Sequence, residues 1–201
     1  AAKLTARGDL IFAPTAAEMY PQGYATTINL TGVTAPLEGE ARPTHFAGVA
    51  TVVAKLLLQA LPDVAAFGEK DWQQLQVIRR MVADLNIPAE IIGGAILRES
   101  DGLAMSSRNV YLNVDERKAA GRLNVILRDI AAEVAGGKPI SAATAGGTKR
   151  ILALGFAHVD YLEVRDSASL ATFDTDRPTG DARILVAAKI GRTRLIDNMP
   201  V

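Results

Sequence analysis

Phe67-Gly68-Glu69-Lys70-Asp71-Trp72-Gln73-Gln74 reads as the end of a buried strand, a turn opened by a glycine, and the first turn of a helix. The apolar run Val64 to Phe67 leads into it. Trp72, Leu75, Ile78, Val82 and Leu85 follow at helical spacing. The stretch decides the fold because its pattern recurs around it: helix 44–60, strand 64–67, helix 71–86, strand 89–92. Strand and helix alternating at this spacing predict a parallel α/β sheet. Ligands of such sheets sit outside the carboxyl ends of the strands, where Lys70 and Asp71 fall. A helix start offers unpaired N–H groups and the positive end of the dipole, so a lysine delivered there suits a phosphate. A plainer reading stands beside this one. Asp71-x-x-Gln74 has capping-box spacing, and both side chains can simply satisfy the helix N-terminus.

Upstream, helix 44–60 has Thr44 as its cap, with Phe46, Val49, Val53, Leu56, Leu57 and Ala60 on one face and Pro62 as its stop. Leu10 to Ala13 is expected to be a short buried strand ended by Pro14. Thr15 caps a helical turn through Met19. The Thr-rich run Ala25 to Leu30 alternates like an edge strand, and Gly32 and Pro36 bracket a loop. Ala1-Ala2-Lys3-Leu4 resembles the tail of a helix begun earlier, so the chain is expected to open inside a larger domain.

Downstream, Gly93-Gly94 marks a change of pattern. Asn113 with Glu116 forms a capping box for a long helix through about Val134. Ser141 opens another through Leu154, ended by Gly155. Val159 to Val164 alternates as a strand, and 183–190 with 193–196 form a hairpin about Gly191-Arg192. The expected fold class is therefore α/β: a partial parallel sheet over residues 1–96, followed by a smaller α+β C-terminal domain over 97–201.

Composition narrows the function. Of 201 residues, Lys+Arg and Asp+Glu number 22 each, so no global charge points to nucleic acid or an anionic membrane, and any anion site is local. With no cysteine there are no disulfides and no thiolate metal sites. No apolar run is long enough to span a bilayer, and the start lacks the order of a signal peptide.

Two further groups bear on chemistry. Met105-Ser106-Ser107-Arg108-Asn109 lies in a polar loop between the two halves. Its hydroxyls and guanidinium can wrap a polyphosphate, and Arg108 can offset charge on a departing pyrophosphate. A Ser-rich surface loop is the bland alternative. Arg42-Pro43-Thr44-His45-Phe46 puts Arg42 and His45 at a helix start, again a place that favours anions. There is no G-x-x-x-x-G-K-[ST], no G-x-G-x-x-G after a strand, no H-E-x-x-H and no G-x-S-x-G.

Taken together, four stretches in order resemble the pantothenate synthetases (pantoate–β-alanine ligases). They are Leu37-Glu38-Gly39 with Arg42-Pro43-x-His45-Phe46-x-Gly48-Val49; Phe67-Gly68-Glu69-Lys70-Asp71 with Gln73-Gln74; Asp101-Gly102-Leu103-Ala104-Met105-Ser106-Ser107-Arg108-Asn109 with Tyr111-Leu112; and Arg194-Leu195-Ile196-Asp197-Asn198. Phe12-Ala13-Pro14 and Tyr20-Pro21 also fit. The resemblance implies a Rossmann-like nucleotidylyltransferase domain with a smaller C-terminal lid, in a cytoplasmic enzyme that dimerises when complete. It implies condensation of pantoate with β-alanine through a pantoyl adenylate, using ATP and Mg²⁺ and releasing pyrophosphate and AMP, with no nucleic-acid or membrane partner. By position, Gly68, Glu69, Lys70, Asp71, Leu97, Met105, Ser106, Ser107 and Arg108 bind ATP. Of these, Lys70, Ser106, Ser107 and Arg108 also act in catalysis. Gln74, Arg42 and His45 fall to the substrate side. Leu97 stands where the family commonly has valine.

One departure is large. The family carries a Met-Gly-x-Leu-His-x-Gly-His type motif whose histidines face the ATP phosphates, with further pantoate and Mg²⁺ residues nearby. This chain has only His45 and His158 and no H-x-G-H. It resembles the C-terminal two-thirds of the family, holds no metal ligands of its own, and is expected to be inactive alone. Another adenylate-forming nucleotidylyltransferase and a non-catalytic fragment are the rival readings.

Overall fold

The structure, a computed structural model, describes residues 8–201. Its first half is built on a parallel pair of strands, β1 (Val64–Gly68) and β2 (Glu90–Gly94), in register from Val64 opposite Glu90 to Gly68 opposite Gly94. Helix α3 (His45–Ala60) precedes β1, and helix α4 (Trp72–Asp84) makes the crossover between the strands. Both helices lie against one face of the pair. Ala50, Val53, Ala54 and Leu57 of α3 meet Ile78, Met81 and Val82 of α4, with Ala65, Phe67 and Ile91 beneath them. Ile78 is fully buried, which is worth about 1.5–3 kcal/mol for a side chain of its size. Leu61, in the left-handed region at φ 47°, closes α3 before Pro62.

Two further helices are single turns. α1 (Ala16–Met19) has the expected Thr15 cap, here a full capping box with Glu18. α2 (Glu38–Ala41) follows Leu37, a non-glycine residue at φ 59°. The turn before it is tight enough to require glycine at the next step: a Cβ on Gly39 would sit 1.8 Å from the Thr34 carbonyl oxygen.

The second half has its own core. Helices α5 (Val114–Ala120), α6 (Leu123–Ala135) and α7 (Ile140–Ala153) are followed by an antiparallel sheet of β3 (His158–Asp166), β4 (Ala182–Ile190) and β5 (Thr193–Pro200), in the order β3-β4-β5. α6 and α7 pack on this sheet, and Leu127, Ile130, Ile151, Ile184 and Val186 are buried completely. The β4–β5 hairpin turns at Gly191-Arg192 as expected. Gly191 has φ 51°, and the Glu116 carboxylate lies so close that a Cβ there would meet it at 1.9 Å. β5 touches the first turn after β1 and the turn at 107–111, so the last strand reaches a loop of the first half as well as one of its own.

Several local expectations are corrected. Leu10 to Ala13 is not a strand: no described strand pairs with it, and Leu10 and Phe12 stand largely exposed. Ala25 to Leu30 joins no ladder. Its Ile28 N–H donates to Thr51 Oγ1 at 2.9 Å, so the segment lies along α3 instead of pairing at a sheet edge. The helix drawn from Asn113 to Val134 is two helices, broken at Gly121-Arg122, where Gly121 packs on the Asp101 backbone. The Asp71–Gln74 capping box does not form; a 3₁₀ turn, Glu69–Asp71, precedes α4 and Asp71 makes no side-chain cap bond. The suggested helix tail at Ala1 to Leu4 lies outside the described residues.

Candidate nucleotide and substrate cleft

The carboxyl end of β1 runs straight into the 3₁₀ turn that carries Lys70, so the strand aims this lysine at the end of the sheet. A cleft of about 190 Å³ opens there. Lys70, Asp71 and Gln74 line it from one side, Arg42 from the end of α2, His45 from the start of α3, and Arg108 from the 3₁₀ turn Ser107–Tyr111. Residues far apart in the chain thus meet in one hollow. Because the capping box is absent, the side chains of Asp71 and Gln74 remain available to the cleft.

Not every candidate is drawn in. Ser106 lines a small adjoining hollow with Lys70 and Arg108, and its Oγ accepts the Arg108 N–H at 3.2 Å. Gly68, Leu97, Met105 and Ser107 line neither space; Leu97 and Met105 stand out in solvent. The Glu69 carboxylate turns toward Arg183, 3.8 Å away. The 99–109 loop is tied down from behind. Arg117 donates to Asp101 and Glu99, each at 2.6 Å, and Asn109 donates to Glu99 and to the Ala104 carbonyl. Those arginine bonds hold both carboxylates below their ordinary pKa and raise that of Arg117.

The floor comes from Asp197 and Asn198, which matched the family pattern but to which the sequence assigned no task, and from their partners outside that pattern. Asn198, buried in β5, donates its side-chain amide to the Glu69 and Lys70 carbonyls at 3.0 and 2.9 Å. Its carbonyl oxygen accepts from Arg183, whose guanidinium lies 3.4 Å over the Trp72 ring. Trp72 in turn donates its indole N–H to the Ser167 carbonyl at 2.8 Å. Next to Asn198, Asp197 forms a bidentate pair with Arg98 at 2.7 and 2.9 Å. The signal that could have found these residues is polar side chains on a strand whose neighbours are apolar. In β5, Asp197 and Asn198 are buried polar groups among the buried residues of the sheet.

A second network closes the opposite side. Glu38, largely buried, accepts the Tyr161 hydroxyl at 2.8 Å and a two-armed Arg194 guanidinium at 2.7 and 3.0 Å. Arg194 also donates to Asp160. A register irregularity between Val159 and Tyr161 sets this part of β3 apart from a regular ladder. Burial, then the Glu38 charge, pushes the Tyr161 hydroxyl above its ordinary pKa. Burial opposes the charge on Arg194, but its hydrogen bonds to Glu38 and Asp160 win and raise its pKa. At the mouth, burial and then the Arg42 charge lower His45. Gln73 serves the fold: buried, it bonds the Glu38 N–H and the Val33 and Pro36 carbonyls.

Fold and cleft define a mixed α/β protein with a cation-lined polar hollow at the carboxyl end of a parallel strand, walled by a separate antiparallel sheet. Comparison with known proteins then narrows this. The family model "Pantoate-beta-alanine ligase" matches residues 1–200. The pantothenate synthetase of Caulobacter vibrioides is 54% identical over 195 residues, 96% of this chain and 68% of the relative. That of Rhodospirillum rubrum is 52% identical, over 100% of this chain and 71% of the relative. The crystal structure of pantothenate synthetase from Thermus thermophilus superposes with a TM-score of 0.90 at 43% identity, over 98% of this chain and 71% of that one. A Francisella tularensis pantoate–β-alanine ligase, complexed with beta-gamma ATP and β-alanine, gives 0.71 at 31% identity, over 92% and 61%. The chain belongs to the pantoate–β-alanine ligase family, a family of carbon–nitrogen ligases.

Proposed function

We propose that the cleft binds ATP and pantoate and supports formation of pantoyl adenylate, which β-alanine then attacks to give pantothenate and AMP. The observation that carries this is the meeting of Lys70, Arg108 and Gln74 in one hollow although they arise from different elements. Adenylate formation asks little covalent work of a protein. It asks for positive charge where pyrophosphate departs, and for a carboxylate held on the α-phosphate. Lys70 and Arg108 supply the charge, Ser106 and Ser107 add hydroxyl donors, and the backbone from Gly68 to Asp71 approaches the nucleotide. Leu97 and Met105, exposed outside the hollow, are given to the nucleotide on the family resemblance. Gln74 orients pantoate, and Arg42 and His45 line the substrate side near the phosphates. A neutral His45 accepts or donates a hydrogen bond without adding charge, in keeping with its lowered pKa.

Residues 1–96 then act as the Rossmann-like nucleotide domain and 97–201 as a lid that excludes water from the acyl adenylate. Mg²⁺ fits as a companion of the phosphates. No cluster of three or more His, Asp or Glu stands among the described residues, and Asp71, next to Lys70 in the chain, lies on the cleft wall. When bound, the ion would neutralise phosphate charge. No described helix is long and apolar enough to cross a membrane. We assign the reaction to the cytoplasm and the complete enzyme to a homodimer.

Calorimetric titration with ATP and Mg²⁺, paired with pantoate-dependent ATP–pyrophosphate exchange, tests the reading. The 201-residue chain should bind ATP but, lacking H-x-G-H, show no exchange; a chain that also carries that segment should. Absence of ATP binding would refute the nucleotide cleft, and robust exchange by the 201 residues alone would refute their inactivity.

A further inference from the structure

Beside the cleft lies a second hollow of about 370 Å³, bounded by Arg42, Arg108, Tyr111, Arg192, Thr193 and Arg194. It shares Arg42 and Arg108 with the cleft, so the two spaces adjoin. Four arginines line it, and only one of them is closely paired with carboxylates. Arg194 is committed to Glu38 and Asp160. Arg42 reaches Glu38 only at 3.9 Å, a loose and half-exposed pair. Arg108 and Arg192 form no ion pair among the described residues. Glu116, below the hairpin turn, spends one oxygen on the Asn113 N–H.

Arg192 is also placed. It sits on the two-residue turn between β4 and β5, and its guanidinium lies 5.1 Å from the centre of the Tyr111 ring. That contact keeps an otherwise free side chain beside the hollow. Arg42, Arg108 and Arg192, gathered with no closely paired carboxylate, are costly unless an anion bridges them, and planar guanidinium groups match phosphate oxygens two at a time. A monovalent carboxylate would leave most of this charge uncompensated.

We propose that this hollow is an outer polyanion subsite that takes inorganic pyrophosphate as it leaves the cleft. The assignment rests on the nucleotide reading above: Arg108, at the shared wall, hands the anion outward to Arg42 and Arg192. Tyr111 and the hairpin turn hold the outer arginine in place. The subsite separates product from substrate by charge density, because free pyrophosphate carries its full charge whereas the phosphates of bound ATP remain anchored at Lys70.

Calorimetry of the 201-residue chain with sodium pyrophosphate, ATP and sodium sulfate, at matched ionic strength, tests this. Arg192→Gln should weaken pyrophosphate about five- to tenfold, on the scale of a lost charge-assisted contact at an exposed site, and leave ATP within about twofold. Arg192→Lys, which keeps the charge but not the fork, should fall between. Unchanged pyrophosphate affinity in Arg192→Gln overturns the proposal, as does an equal loss for ATP. Sulfate binding as tightly as pyrophosphate, and weakening equally, reduces the hollow to an adventitious cationic patch. If ATP does not bind while pyrophosphate binding still depends on Arg192, the nucleotide reading fails and the outer subsite stands.

Discussion

Asn198 and Lys70, far apart in sequence, are joined by a hydrogen bond of 2.9 Å from the Asn198 amide to the Lys70 carbonyl, with a twin to the Glu69 carbonyl at 3.0 Å. The last strand therefore holds the backbone of the turn that presents the lysine. Asn198→Asp keeps the shape and strengthens the pairing with Arg183, but it sets an acceptor against two carbonyls. The expected result is a folded protein, less stable by about 1–3 kcal/mol, the range for buried polar groups left unpaired. ATP affinity should fall about tenfold or more, as the turn moves by an amount worth about 1.4 kcal/mol. Urea unfolding and ATP titration measure the two effects. A stability loss with unchanged ATP affinity would make Asn198 a purely structural residue.

How far the sequence reveals this arrangement depends on the range of the interaction concerned. The helix–strand–helix–strand order from Thr44 to Gly94 is legible because periodicity and local stop signals encode it. So are the Thr15 and Asn113 caps and the Gly191-Arg192 hairpin, each set within a few residues. Leu10 to Ala13 and Ala25 to Leu30 mislead because a strand exists only if a partner pairs with it, and composition says nothing about partners. The Asp71–Gln74 box fails for a related reason: spacing permits the bond, but the Asn198 amide fixes the preceding carbonyls and a 3₁₀ turn forms instead. In the cleft, Lys70, Gln74, Arg42, His45 and Arg108 are readable from type and position. Glu38, Tyr161, Arg183 and Arg194 acquire a role only through contacts across the fold.

The Tyr161–Glu38 bond makes alkaline stability a test of the wall it closes. Burial and the Glu38 charge raise the Tyr161 pKa above the ordinary 10.0. The folded state therefore holds this proton more tightly than the unfolded chain does. Its stabilising contribution is complete below about pH 10, where an unfolded tyrosine is still protonated, and is lost as pH climbs above that value. Wild-type stability should decline between about pH 10 and 11.5 more steeply than that of Tyr161→Phe. At neutral pH the Phe variant should be weaker by about 1–2 kcal/mol for the lost bond to a carboxylate. Denaturant midpoints at several pH values supply the comparison; parallel pH profiles would argue against a protonated Tyr161 as the source.

His45 can report phosphate directly, because the only other histidine in the chain is His158. Burial first, then Arg42, lowers its pKa from 6.5. The folded state thus favours the neutral ring; its contribution is present above about pH 6.5 and is lost as pH falls through the lowered value. A bound polyphosphate adds negative charge beside the ring and should raise that pKa, by about one unit for a charge within hydrogen-bonding range. Proton NMR of the two imidazoles, with and without ATP, shows it. A His45 titration that ignores ATP would place the phosphates elsewhere.

Lys70 separates ligand binding from folding most cleanly. It lines the cleft and the adjoining hollow, and its ammonium group makes no ion pair or side-chain hydrogen bond among the described residues. What the fold uses at this position is the backbone carbonyl, which accepts from Asn198 whatever side chain is present. Lys70→Ala should therefore leave stability within about 0.5 kcal/mol, as for a surface substitution. ATP affinity should drop about tenfold or more, the scale of a lost charge-assisted bond to phosphate. Trp72 is the single tryptophan and borders the same cleft, so its emission can follow both unfolding and ligand entry in one sample. Equal proportional losses in stability and ATP binding would mean that Lys70 supports the turn and does not hold the nucleotide.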